Sequence, residues 1–148
     1  GNFTSFDFFT KILMNNIKVL FFCIVFAFLY GAGAIFILTW NSSVVATAMG
    51  SAFKTELAKG ASLVGLPSVA NYFSAASFGF FRYMTHGLLE MASYFVAGLA
   101  GGIISIALIK HNFKNDRVFI DVIDLIFISV GLIIIAGIVE VYITPLLF

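Results

Sequence analysis

The chain has 148 residues, 61% of them hydrophobic and 10% charged, with a mean hydropathy of +1.10, whereas an ordinary soluble domain is about 25% charged. This excludes a soluble globular domain and predicts an integral membrane protein, and a formal net charge of +1 supplies no basic field for a nucleic-acid partner. Cys23 is the single cysteine, so neither an intrachain disulfide nor a Cys-based metal cage can form.

The chain begins at Gly1 rather than Met, which fits the loss of upstream sequence. The stretch FTSFDFFTKILMNN places Phe3, Phe6, Phe9, Ile12 and Leu13 near helical spacing beside Asp7 and Lys11. That pattern predicts a helix lying in the membrane interface. Between Val19 and Phe53 there is no Asp, Glu, Lys or Arg. Ile17 to Trp40 alone would make a helix of ~36 Å, enough for a ~30 Å hydrocarbon core, and is the first predicted span.

Residues 41–82 read differently. VVATAMGSAF is short and ends at Lys54, Glu56 and Lys59, and the following stretch is interrupted by Pro67 and Asn71. Pro67 removes a backbone donor and disfavours helix at the residue before it. Short, re-entrant or interfacial helices are expected here. Broken backbone at membrane depth persists only against protein or a wet cavity, so a pocket is expected in this region.

Residues 84–109 and 125–147 are the other two strong spans, an antiparallel hairpin around the polar loop KHNFKNDRVFID. The fold class is therefore all-α: a single polytopic transmembrane domain over 1–148 with three spans near 17–40, 84–109 and 125–147. Lys110, Lys114 and Arg117 form the densest basic cluster. Lys11 and Lys18 share its cytoplasmic side if residues 41–82 do not cross; an extra crossing would break that assignment. Among small residues, the spacing of Ala97 with Gly101 and of Gly98 with Gly102 suits close helix approach. Packing within the chain is the simpler role for Gly98, Gly101 and Gly102, and a homo-oligomer face is the other.

Glu90 and Glu140 are the carboxylates inside the hairpin spans. Glu90 lies 20 residues before Lys110 and Glu140 lies 19 after Asp121, so both sit ~30 Å from the loop along their helices. They are expected at one depth, opposite the basic loop. His86 is one turn from Glu90 on the same face, and Arg82 one turn further. Carboxylates in a membrane face other helices or water and often mark function. A structural polar cluster of Arg82, His86, Glu90 and Glu140 is one reading. A functional site is the other: His86, Glu90 and Glu140 binding zinc or another divalent metal, or carrying protons. Zinc hydrolysis is disfavoured because Gly87 stands where an H-E-x-x-H motif places its general base. His111 belongs to the loop at the opposite end.

His86-Gly87-x-x-Glu90 followed by AGLAGG resembles the central signature of the stage II sporulation protein M family of integral membrane proteins. Asn16-Ile17-Lys18-Val19 is similar to the motif of that family's early span. Gly31 and Gly33 resemble its glycine-rich middle, Asn41 its exit, and Glu140 with Thr144-Pro145 its final helix. Thr85 and Ser42 depart from the proline and glycine the family often has there. The resemblance marks Asn16, Gly31, Asn41, His86, Gly87, Glu90, Glu140 and Pro145. It implies a multi-pass cell-membrane protein, with the sporulation member a scaffold for cell-wall-degrading partners and most relatives without an assigned activity.

The expectation is therefore a membrane scaffold or assembly factor, with the lipid bilayer and membrane or extracytoplasmic proteins as partners. The alternative is a small permease or ion- or proton-coupled transporter using His86, Glu90 and Glu140. An enzyme is the least favoured class, and no cofactor beyond that divalent metal is implied.

Overall fold

A computed structural model describes residues 4–31, 33–64, 69–110 and 116–147; Phe3, Pro67, His111 and Lys114 lie outside the described residues. Thr4 opens the first helix. Its hydroxyl accepts from the Asp7 backbone N–H at 3.3 Å, and the Asp7 carboxylate accepts from the Thr4 backbone N–H at 2.8 Å. This reciprocal cap satisfies donors that the first turn leaves without partners. From there α1 runs unbroken over Ser5–Tyr30, so the aromatic N-terminal stretch is the start of a spanning-length helix rather than a separate interfacial one.

The predicted span over 17–40 is instead two helices. Gly31 has φ 59°, a backbone state that a Cβ disfavours, and it ends α1. The chain then reverses into α2, Gly33–Val64. Residues 41–64 are thus not short or broken pieces but the continuation of one helix. The next helix, α3, covers Val69–Ile109 and carries Asn71 within it, because an isolated Asn costs a helix only a fraction of a kcal/mol, of the order of 0.7. α4 covers Asp116–Ile138, followed by a π-helical segment at Val139–Ile143 and a last turn, α5, at Thr144–Leu147.

The helices alternate in direction. Asn16 meets Glu90 and Ala27 meets Gly101, so α1 and α3 run the same way. Ala34 meets Gly98, Met49 meets Gly79 and Phe53 packs on Tyr72, so α2 opposes α3. Ser93 bonds Ser129 and His86 bonds Thr144, so α4 opposes α3 too. Among the described residues four helices are long and apolar enough to cross a membrane, one more than the sequence reading predicts. Gly31 and Lys110 therefore lie at one end of the bundle, and Ser5, Glu56 and Leu147 toward the other. The added crossing separates Lys11 and Lys18 from the loop cations, and the shared cytoplasmic assignment falls.

Leu20 and Cys23 from α1, Tyr94 and Ala97 from α3, and Ile133 from α4 form the buried core. Phe21, Phe22, Leu29, Ile106 and Phe127 are exposed around it. In water so much apolar surface would drive association; in a bilayer it is the solvated face.

The lengths of the helices differ. α3, with 41 residues, is ~61 Å long, and α1, with 26, ~39 Å. Ser5 borders the same cavity as Arg82 and His86, so the part of α3 before Arg82 lies past the start of α1. Paired there with α2, it forms a helical arm projecting beyond the bundle by ~20 Å.

Candidate functional site

The polar side chains of the bundle meet at the level where this arm begins. Asn16, buried on α1, donates its side-chain amide to Glu90 Oε1 on α3. One turn away on α3, His86 Nδ1 lies 3.4 Å from Thr144 Oγ1. Glu140 sits between these pairs and borders two cavities. One, of about 360 Å³, includes Arg82, His86, Thr144 and Pro145; the other, of about 650 Å³, includes Lys11, Asn16, Lys18, Asn41 and Glu90.

Pro145 explains how Glu140 comes to be there. Its ring has no N–H and would collide with the carbonyl four residues back, that of Val141. The helix answers by widening: the Thr144 N–H bonds the Val139 carbonyl, and the Thr144 hydroxyl donates to the same oxygen at 3.0 Å. Such π turns are rare and occur frequently at functional sites. Here the widened turn, Val139–Ile143, carries Glu140 itself.

The remaining marked residues have distinct places. Asn41 donates to the Ile37 carbonyl at 3.2 Å and borders the larger cavity. Arg82 is exposed and its guanidinium lies 5.6 Å from the Phe78 ring centre, a cation–π contact. Gly31 is the helix break. Gly98 and Gly101 are contact points: a Cβ on Gly98 would lie 2.9 Å from Ala34 Cβ, and one on Gly101 would overlap the Ile24 carbonyl oxygen and lie 3.0 Å from Ala27 Cβ. Gly102 is not such a point, because a Cβ there meets nothing within 4 Å, and the same holds for Gly87. Gly102 faces away from the α1 contact that its neighbour Gly101 makes, and nothing in the structure explains Gly87.

The expected metal centre at His86, Glu90 and Glu140 gains no support from the placement of these side chains. Among the described residues no group of three or more His, Cys, Asp or Glu is placed to hold a metal ion. The physical reason is the division of the cluster: Glu90 turns to Asn16 while His86 turns to Thr144, into different cavities. Sequence reasoning did not single out Lys11, Asn15 and Lys18 as cavity residues, although their i, i+4, i+7 spacing places them on one helix face. Thr144 entered only through the family motif, and its link to His86 has no local signature.

Alternating helices of spanning length, an apolar outer surface and a buried polar cluster define a polytopic helical membrane protein. The family described as Stage II sporulation protein M (SpoIIM) matches residues 1–145, and the chain belongs to that family. No curated protein and no solved structure matches the chain.

Proposed function

We propose that this chain is a scaffold or assembly factor of the cell membrane, its helices acting as one transmembrane domain that presents the α2/α3 arm to membrane or extracytoplasmic proteins. The observation that carries this reading is the arm. It extends past the bundle, where lipid-facing helices have no need to continue, and its surface mixes Lys54 and Lys59 with Phe73, Phe80 and Phe81, all exposed. Mixed aromatic and charged surface is the composition of protein interfaces.

The permease alternative draws on the larger cavity, which reaches both carboxylates. Against it stands the packing beneath. Cys23, Ala97 and Ile133 are 0% exposed and Tyr94 1%, so the core closes the cavity toward the Gly31 end in this state, and a permease would need a second state that opens the carboxylates to that side. The hydrogen bonds of the cluster serve the scaffold equally well by fixing α1 and the final turn on α3.

The test pairs two measurements. Photo-crosslinking residues at Phe73 and Phe80 in the native membrane should capture one and the same protein, and purified protein in liposomes should show no proton or divalent-cation flux. Flux that Glu90→Gln abolishes, with no shared crosslink, would replace the scaffold with the permease.

A further inference from the structure

Lys11, Asn15 and Lys18 form an exposed row on α1 along one side of the cavity of about 650 Å³. Asn41, Val44 and Val45 of α2 border it too, and Glu90 and Glu140 complete it. Among the described residues no ion pair joins either lysine to either carboxylate, and Glu140 has no hydrogen-bond partner. Glu90 commits Oε1 to Asn16 and keeps Oε2. Two lysines and two carboxyl groups thus border one cavity without pairing with each other. Charges at the edge of a low-dielectric region are costly unless matched, and the occupant that matches both signs carries an anion and a cation of its own.

The surroundings indicate where such an occupant comes from. Trp40, adjacent to Asn41, is 65% exposed, and tryptophan concentrates at the headgroup level of bilayers. On the Gly31 side of the cavity α1 exposes Phe21 and Phe22, one turn beyond Lys18 on its face, an apolar track leading away from the charges. A water-soluble zwitterion has no use for that track; a lipid does.

We propose that the cavity holds the headgroup of an amine-bearing phospholipid of the phosphatidylethanolamine class. The primary ammonium sits at Glu90 and Glu140, the phosphate at Lys11 and Lys18, and the acyl chains lie toward Phe21 and Phe22. A primary ammonium brings three N–H donors to the carboxylate oxygens. A trimethylated amine brings none, and a glycerol headgroup brings no cation. This site goes beyond the scaffold reading and does not rest on it.

The experiment is a lipid titration of the detergent-purified chain by native mass spectrometry, using phosphatidylethanolamine, phosphatidylcholine and phosphatidylglycerol with identical acyl chains, and glycerophosphoethanolamine as the water-soluble headgroup. Phosphatidylethanolamine should bind about tenfold tighter than the other two lipids, the scale of one charge-assisted hydrogen bond. Glu140→Gln should erase that preference, and Lys18→Ala should weaken all three lipids by a similar factor while keeping it. Equal retention of the three lipids, or a preference unchanged in folded Glu140→Gln, would overturn the site. Glycerophosphoethanolamine binding as tightly as the lipid would overturn the bilayer as its source. If Glu140→Gln fails to fold, the wild-type comparison and Lys18→Ala decide on their own.

Discussion

Asn16 and Glu90 lie 74 residues apart in the chain and are joined by a side-chain hydrogen bond between α1 and α3. Asn16 is 6% exposed, and removing either group takes from the other its one side-chain partner among the described residues. Asn16→Leu should lower stability by about 1–3 kcal/mol, the cost of a buried polar group left unsatisfied. Glu90→Gln keeps an oxygen that accepts from Asn16 and should cost less. Thermal unfolding of both variants in detergent checks the order; a larger loss in Glu90→Gln would contradict it.

The contacts of α3 with α1 and α2 depend on missing side chains. Gly101→Leu must displace the Ile24 backbone, and Gly98→Leu must displace Ala34. Overpacking of this kind costs about 1–3 kcal/mol, with Gly101 the worse because backbone yields least. Gly102→Leu has open space around its Cβ and should melt with the wild type. The three melting curves separate a directed contact from a general preference for small residues.

Gly31 isolates a conformational cost from a packing one. No atom lies within 4 Å of a Cβ built there, yet φ is +59°. Gly31→Ala should therefore destabilise by about 1–3 kcal/mol through backbone strain alone, and Gly31→Asn by a similar amount, since φ 59° with ψ −81° lies outside the left-handed α region that Asn adopts. Unfolding midpoints of the two variants test this.

Ser93 is fully buried and donates to the Ser129 carbonyl at 2.7 Å. Ser93→Ala removes the donor but leaves the carbonyl its own helical bond, so a loss of about 0.5–1.5 kcal/mol is expected. Denaturation of this variant gives the strength of the α3–α4 tie.

Topology has its own test. With Cys23 replaced by Ser, single cysteines at Gly31 and Lys110 should label from one side of a sealed vesicle with an impermeant maleimide, and cysteines at Glu56 and Leu147 from the other. Labelling of Gly31 and Glu56 from the same side would return the chain to three crossings.

Where the sequence was legible, regular helices made it so. Glu90 and Glu140 can be placed at one level by counting residues because α3 and α4 are unbroken between the loop and the carboxylates, and both border one cavity. Hydropathy failed at Gly31, because no charged residue lies between Val19 and Phe53 and only the backbone torsion reveals a break. It failed again over 41–64, because falling hydropathy signals departure from lipid and not departure from helix. The partners Asn16 for Glu90 and Thr144 for His86 were hidden for a different reason. A pairing between distant helices depends on their rotation and depth, which no local pattern encodes.

The widened turn at Val139–Ile143 separates the register of two otherwise continuous stretches of helix. Ahead of it, the Ser93–Ser129 tie fixes the phase of α4 on α3; behind it, Thr144 is phased by its own bonds to Val139. A π turn contains one residue more than the α-helix would use over the same path, so deleting a residue such as Val141 together with Pro145→Ala, which removes the clash, can restore α-helical winding without turning residues 116–138. The alignment of Thr144 with His86 can thus shift while the core keeps its place, which makes this turn a point where the family could vary the mouth of the cavities without rebuilding the bundle.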